Sequence, residues 1–162
     1  MIKIILGIDP GIADTGYGVI KVESGKLTCL TYGSIKTRVG TPLIARLEIL
    51  HRELDKIIKK YRPELVAIEQ LFFNKNVRTA LIVGQARGVV LLTVSQNKLP
   101  LIDCTPSQVK QAVTAYGQAN KKQVQKMVKI ILGLKELPEP DDAADALAVA
   151  VCASNLRLCP KN

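Results

Sequence analysis

The chain changes rhythm once, and that change limits the folds open to it. Three strand-like apolar runs, over 3–9, 16–23 and 27–37, follow one another through short turns, the last entered through a hairpin-like Glu-Ser-Gly-Lys. After Thr41, strand-like runs occur only with helices between them. Strands joined by short turns pair antiparallel, whereas strands separated by helices pair parallel. The expectation is an α/β chain: a mixed five-stranded sheet with helices on both faces.

The later elements can be placed from their own signals. Thr41-Pro42 reads as an N-cap followed by proline at the first helical position, and Leu43, Leu47, Leu50, Leu54, Ile57 and Ile58 then form one apolar stripe. His51 falls beside the stripe and reads as a boundary residue, not a ligand. "RPELVAIEQ" is a short buried strand closing on Glu69, "LFFNKN" a loop, and 77–96 a long helix apolar on more than one side. "LPLIDC" is a strand, Thr105-Pro106 opens a helix to about Tyr116, and a basic amphipathic helix covers 121–132. Asp141 reads as the N-cap of a last helix reaching about Asn155. At 162 residues the chain can bury a sizeable core, and one domain is expected over 1–157 with a flexible tail over 158–162.

Two of the apolar strands end on carboxylates, Asp9 and Glu69, where an unpaired buried charge is costly. "PDDAADALAVAV" adds Asp142 and Asp145, three residues apart on one side of a helix otherwise built of alanine, leucine and valine. Singly, each has an ordinary reading: Asp9 starting a turn, Glu69 pairing with an arginine, Asp142 serving the helix N-terminus. Jointly they place four carboxylates at one end of a sheet. Hard oxygen donors of this kind suit magnesium or manganese, not zinc. Two such ions can activate a water and stabilise a leaving oxygen in phosphodiester cleavage.

Charge points the same way. The net charge is +9, and from Gln70 to Lys135 the only acid is Asp103, against Lys75, Arg78, Arg87, Lys98, Lys110, Lys121, Lys122, Lys126, Lys129 and Lys135. A one-sign field of this extent attracts polyanions, although a solvated lysine face serves solubility equally well. Cys29, Cys104, Cys152 and Cys159 lack zinc-site spacing and read as reduced packing thiols. No signal peptide is visible, and Arg87 interrupts the best apolar window, 79–96, so the cytosol is the expected location. A metal-dependent nuclease is the leading reading. Sugar kinases and actin-like ATPases share the Asp-x-Gly and Thr-Gly signature on a first strand. They need a second duplicated domain, for which 162 residues leave no room.

In order along the chain, "GIDPGIADTGYGVI", "IEQLFFNKN", "VGQARGV", "PSQVKQAV" and "DDAADALAVA" resemble the RuvC family of Holliday junction resolvases essentially end to end. The resemblance implies an RNase H-like fold, a homodimer, and magnesium-dependent cutting of four-way DNA junctions by paired symmetric nicks in recombination and repair. Manganese would be a plausible substitute, with two ions per site. It further implies partnership with the RuvA and RuvB branch-migration proteins in a bacterial cytoplasm, at the nucleoid. The family's catalytic, metal-holding acids fall on Asp9, Glu69, Asp142 and Asp145. Its base-stacking aromatic falls on Phe72, and its two lysines near the scissile strand on Lys110 and Lys121. Some members carry histidine where Asp142 stands.

The candidate DNA contacts are therefore Phe72, Phe73, Lys75, Arg78, Lys110, Lys121 and Lys122, although Phe73 also reads as a core residue behind the loop. Asp14 adds an acid to the first loop, for which the family offers no role. Gly11, Gly16 and Gly18 are expected to leave the backbone bare for DNA. Gly84 and Gly88 permit close helix packing, with the second apolar face of their helix meeting either a partner subunit or the core of its own chain. Two other readings use the same residues: an RNase H-like nuclease for another nucleic acid, and a non-catalytic junction binder.

Overall fold

The computed structural model describes residues 2–71 and 77–158. Five strands, β1 (Ile2–Asp9), β2 (Asp14–Glu23), β3 (Lys26–Lys36), β4 (Leu65–Glu69) and β5 (Leu101–Cys104), form one sheet in the order β3-β2-β1-β4-β5. The pairs β1–β2 and β2–β3 are antiparallel, while β1–β4 and β4–β5 are parallel. The change of rhythm in the sequence marks the change of pairing. Five helices complete the fold: α1 (Leu43–Tyr61), α2 (Val77–Gln96), α3 (Pro106–Thr114), α4 (Lys121–Leu132) and α5 (Asp141–Leu158).

Successive side chains of a strand point to opposite faces, so one strand feeds two cores. Ile5, Leu65 and Ala67 join α3, α4 and α5 on one face through Val109, Val113, Val124, Val128 and Leu147. Leu6, Ile8, Val66 and Ile68 meet α1 and α2 on the other, through Leu50, Leu54, Ile58, Ala86, Val90 and Val94. The predicted stripe of α1 is the face that packs. His51 sits at its edge, where Nδ1 lies 2.8 Å from the Thr93 hydroxyl of α2.

Several boundaries differ from expectation for local reasons. Pro42, not Thr41, stands at the N-cap of α1, because the Pro42 carbonyl accepts the Arg46 amide at 3.1 Å and no side chain caps the helix. Helix α3 keeps its predicted Thr105 cap but stops at Thr114, where Ala115 turns into the left-handed region at φ 58°. Asn120, within a stretch that reads as a mere break, caps α4 in a reciprocal box with Gln123. Asp141 does not cap α5. The Pro140 carbonyl accepts the first amides, from Ala143 and Ala144, which leaves Asp141 inside the first turn. Helix α5 continues past Asn155 to Leu158, and the expected tail beyond it lies outside the described residues.

Helix α2 buries one face in the core of its own chain and leaves the other open among the described residues. Ala86, Val90 and Val94 are buried against the sheet and α1. Leu81 and Leu92 stay 64% and 56% exposed, and a side chain built on Gly84 or Gly88 would touch nothing among the described residues. Among the described residues the glycines therefore open an outward face.

Candidate active site

Parallel pairing of β1 with β4 runs as far as Ile8 beside Ile68, so the next residues, Asp9 and Glu69, finish their strands side by side. Antiparallel β2 starts at the same end, with Gly16 opposite Asp9. Helix α5 then crosses β1 and β2 at very close range. A Cβ on Gly7 would overlap the Ala146 carbonyl, one on Gly16 the Asp142 carbonyl, and one on Gly18 the Leu147 side chain. These bare positions bring the first turns of α5, with Asp142 and Asp145, down onto the strand ends.

The expectation for the glycines is thereby corrected. Gly16 and Gly18 are covered by α5, and a Cβ on Gly11 would strike the Asp14 carbonyl of its own turn. At Gly16 and Gly18, both buried, the bareness serves packing within the chain, while Gly11 stays half-buried in its turn. Asp14 is also reassigned: it opens β2, and its carboxylate accepts the Ser34 hydroxyl of β3 at 3.0 Å.

The electrostatics show how closely the four acids share space. Burial, followed by the negative charges of Glu69, Asp145 and Asp142, pushes the Asp9 carboxyl from 3.8 up to about 8, against a weaker opposing pull from Lys121. Burial and then Asp145 raise Glu69, while Lys110 and Lys121 draw it back. Asp145 is raised chiefly by burial, with Lys121 opposing and Asp142 and Asp141 adding to the rise. Among the described residues no three of these groups close into a tight ligand cage. They form an open cluster in which negative charge exceeds the positive charge brought by Lys110 and Lys121.

One cation already answers that field. Lys121, the first residue of α4, places its ammonium 3.1 Å from Asp141 and 3.2 Å from Asp145. Burial works against the charge on Lys121, but the two carboxylates outweigh it and hold the ammonium above its ordinary value. Gln125 donates to Asp141 at 2.8 Å, which fixes the carboxylate that holds Lys121. Asp141 is the residue that sequence reasoning misplaced, because its local position suggests a cap while its partners lie on another helix. The cluster as a whole, oxygen donors only and short of positive charge, fits a hard divalent cation.

Lys121, Lys122 and Lys126 line an open recess at the start of α4. Lys110 on α3 is half-buried and close enough to act on Glu69. Phe72, Phe73 and Lys75 lie outside the described residues, and of Arg78 only the backbone, in the first turn of α2, is described. Arg87, which the sequence reading treats only as a charge interrupting an apolar run, reaches the end of β4 and bonds the Glu69 carbonyl.

Comparison with known proteins gives one consistent result. The family model described as crossover junction endodeoxyribonuclease RuvC matches residues 5–153. The crossover junction endodeoxyribonuclease RuvC of Heliobacterium modesticaldum is 53% identical over 152 residues, covering 94% of each chain. Among solved structures, Thermus thermophilus RuvC superposes with a TM-score of 0.87 at 39% identity, covering 96% of both chains. The same protein solved with a Holliday junction substrate gives 0.87 at 38% identity over the same shares.

Proposed function

The chain belongs to the RuvC family of crossover junction endodeoxyribonucleases, and from that membership we propose how its own residues carry out the reaction. The fold is RNase H-like, and the activity is that of a Holliday junction resolvase, a divalent-metal nuclease of DNA recombination and repair. The nuclease unit is assigned to 1–157. The observation that carries the residue assignment is geometric: Asp9 and Glu69 end neighbouring parallel strands, and the first turn of α5, with Asp142, is seated on Gly16 at the same sheet end. Burial and the neighbouring acids raise the Asp9 carboxyl to about 8, and a bound cation would offset the charge they share.

Asp9, Glu69, Asp142 and Asp145 are the residues that would hold the metal, as two magnesium ions. Bound there, the ions supply activation of the attacking water and charge neutralisation at the leaving oxygen. The protein's share is to fix the four carboxylates on rigid elements and to bring positive charge to the phosphate. Lys121 is already at the cluster's edge, and Lys110 acts on Glu69 from α3. Both can stabilise charge developing on a phosphodiester seated against the acids. Lys75, Arg78 and Lys122 are assigned as phosphate contacts, which position DNA without reading its sequence.

The outward face of α2, with Leu81 and Leu92 exposed, supports pairing of two copies through this helix. A twofold dimer presents two equivalent sites, matching a junction with two equivalent strands. Phe72, three residues after Glu69 in the chain, is assigned to stack on a base freed at the crossover. RuvA and RuvB are the expected partners, in a bacterial cytoplasm. Among the described residues no helix is long and apolar enough to cross a membrane.

The assignment is tested with a mobile junction and the Asp9→Asn and Glu69→Gln proteins. Wild type should nick two opposed strands with magnesium and none with EDTA, while each variant binds the junction and leaves it uncut. Substantial magnesium-dependent cutting by either variant would reject the assignment.

A further inference from the structure

The end of β4 is held by a residue of another element. The Val66 amide donates to Pro100 and the Gln70 amide to Cys104, so the even-numbered residues of β4 bond toward β5 and the odd ones toward β1. Glu69 thus turns its carbonyl to the β1 side. One more rung of that parallel ladder would need an N–H from residue 10 of β1, and Pro10 has none. A carbonyl left unpaired in this half-buried place is costly.

Arg87 of α2 fills the gap. Its Nη1 donates to the Glu69 carbonyl at 2.9 Å, and its Nη2 pairs with Asp103 of β5 at 2.5 Å. The Arg87 side chain is only 17% exposed. Asp103 lies beside Ile68 in the sheet, so one planar guanidinium ties the C-terminal ends of two neighbouring strands to α2. That tie has a mechanical task. Glu69 ends β4 beside the end of β1 that carries Asp9, and a strand end free to splay would carry it away from that acid.

We propose that Arg87 is a positioning residue for catalysis: its fork on the Glu69 carbonyl and Asp103 keeps the Glu69 carboxylate within the acid cluster. This rests on the assignment of Glu69 to the metal site. Lysine carries the charge but lacks the rigid fork, so it cannot satisfy both acceptors in one geometry.

The test measures manganese binding by calorimetry, single-turnover cleavage at saturating junction, and junction affinity in EDTA. The proteins are Arg87→Met, Arg87→Lys, Asp103→Asn and Glu69→Gln. Arg87→Met should lose about 10- to 100-fold in both cation affinity and cleavage rate, the range seen when the support behind a metal ligand is removed. Its junction affinity in EDTA should be kept. Arg87→Lys should recover only part of the loss, and Asp103→Asn should fall between it and wild type. Wild-type cation affinity and rate in Arg87→Met, whatever its melting temperature, would overturn the proposal, as would full activity in Arg87→Lys. If Arg87→Met does not fold, unchanged values in Asp103→Asn overturn it instead. Glu69→Gln separates the two levels: an active Glu69→Gln removes the site assignment itself, whereas an inactive one beside a normal Arg87→Met removes only the brace.

Discussion

A cation entering the acid cluster must compete with a proton, and the stoichiometry of that exchange can be worked out from Asp9. With its carboxyl at about 8, roughly nine in ten metal-free molecules carry a proton there at pH 7. On cation binding Asp9 should therefore contribute most of a proton at pH 7, about half at pH 8 and little by pH 9, beside whatever the raised Glu69 and Asp145 add. Apparent affinity should rise about tenfold per pH unit below 8 and level off above it. Stability carries the same sign. An acid whose folded value is raised stabilises the fold fully below its unfolded value, here 3.8, and loses that contribution as pH rises through about 8. The interval is worth on the order of 5 kcal/mol, and Glu69 and Asp145, raised chiefly by burial, act in the same direction. The metal-free melting temperature should accordingly fall between about pH 5 and pH 8, with a cation restoring more at the upper end. Calorimetric titration of manganese in two buffers of different ionisation heat counts the protons directly. Absence of release at pH 7, or the same release from Asp9→Asn, would refute the reasoning.

Three further outcomes test the packing, the lysine and the assembly. Gly16→Ala should force α5 away from β2, because the new methyl overlaps the Asp142 carbonyl. A loss of about 1–3 kcal/mol in denaturant unfolding is expected, with cleavage reduced on the order of 100-fold; wild-type stability and rate would show that α5 is not seated by the glycine. Lys121→Met should slow single-turnover cleavage much more than it weakens binding, whereas a loss confined to affinity, with a shallower salt dependence, would make it a phosphate contact only. Leu81→Glu combined with Leu92→Glu should convert a dimer to monomers in sedimentation velocity with little change in melting temperature, and a surviving dimer would place the interface elsewhere.

The sheet and the acids were legible because they follow from local pattern. Short turns before Thr41 and helices after it are enough to tell the antiparallel pairs from the parallel ones. Apolar runs closing on Asp9 and Glu69 say where two strands end. What the sequence hides is which distant element fills an empty space. A glycine announces a missing side chain but not the neighbour that needs the room, so Gly16 reads as a bare loop position although the Asp142 carbonyl occupies its missing Cβ. Asp141 fails in the same way. One residue past a proline it looks like a cap, yet its carboxylate is used by Lys121 and Gln125 from α4. Asp14 reads as a loop acid because its partner, Ser34, lies on another strand.

These hidden contacts bear on how the site is built. On α5, Asp142, Ala146 and Ala150 recur every fourth residue and so form one edge of the helix. Asp142 meets Gly16, while Ala146 and Ala150 meet Gly7. The small residues of that edge are matched to the glycines of β1 and β2, allowing backbone to approach backbone. Asp142 and Asp145 ride on this same helix, so their distance from Asp9 is set by the glycine–alanine seam. Bulk added anywhere along it must lift both acids together. A methyl on Gly7, farther down β1 from Asp9, should therefore weaken the metal site as well as the fold, although the residue carries no chemistry of its own.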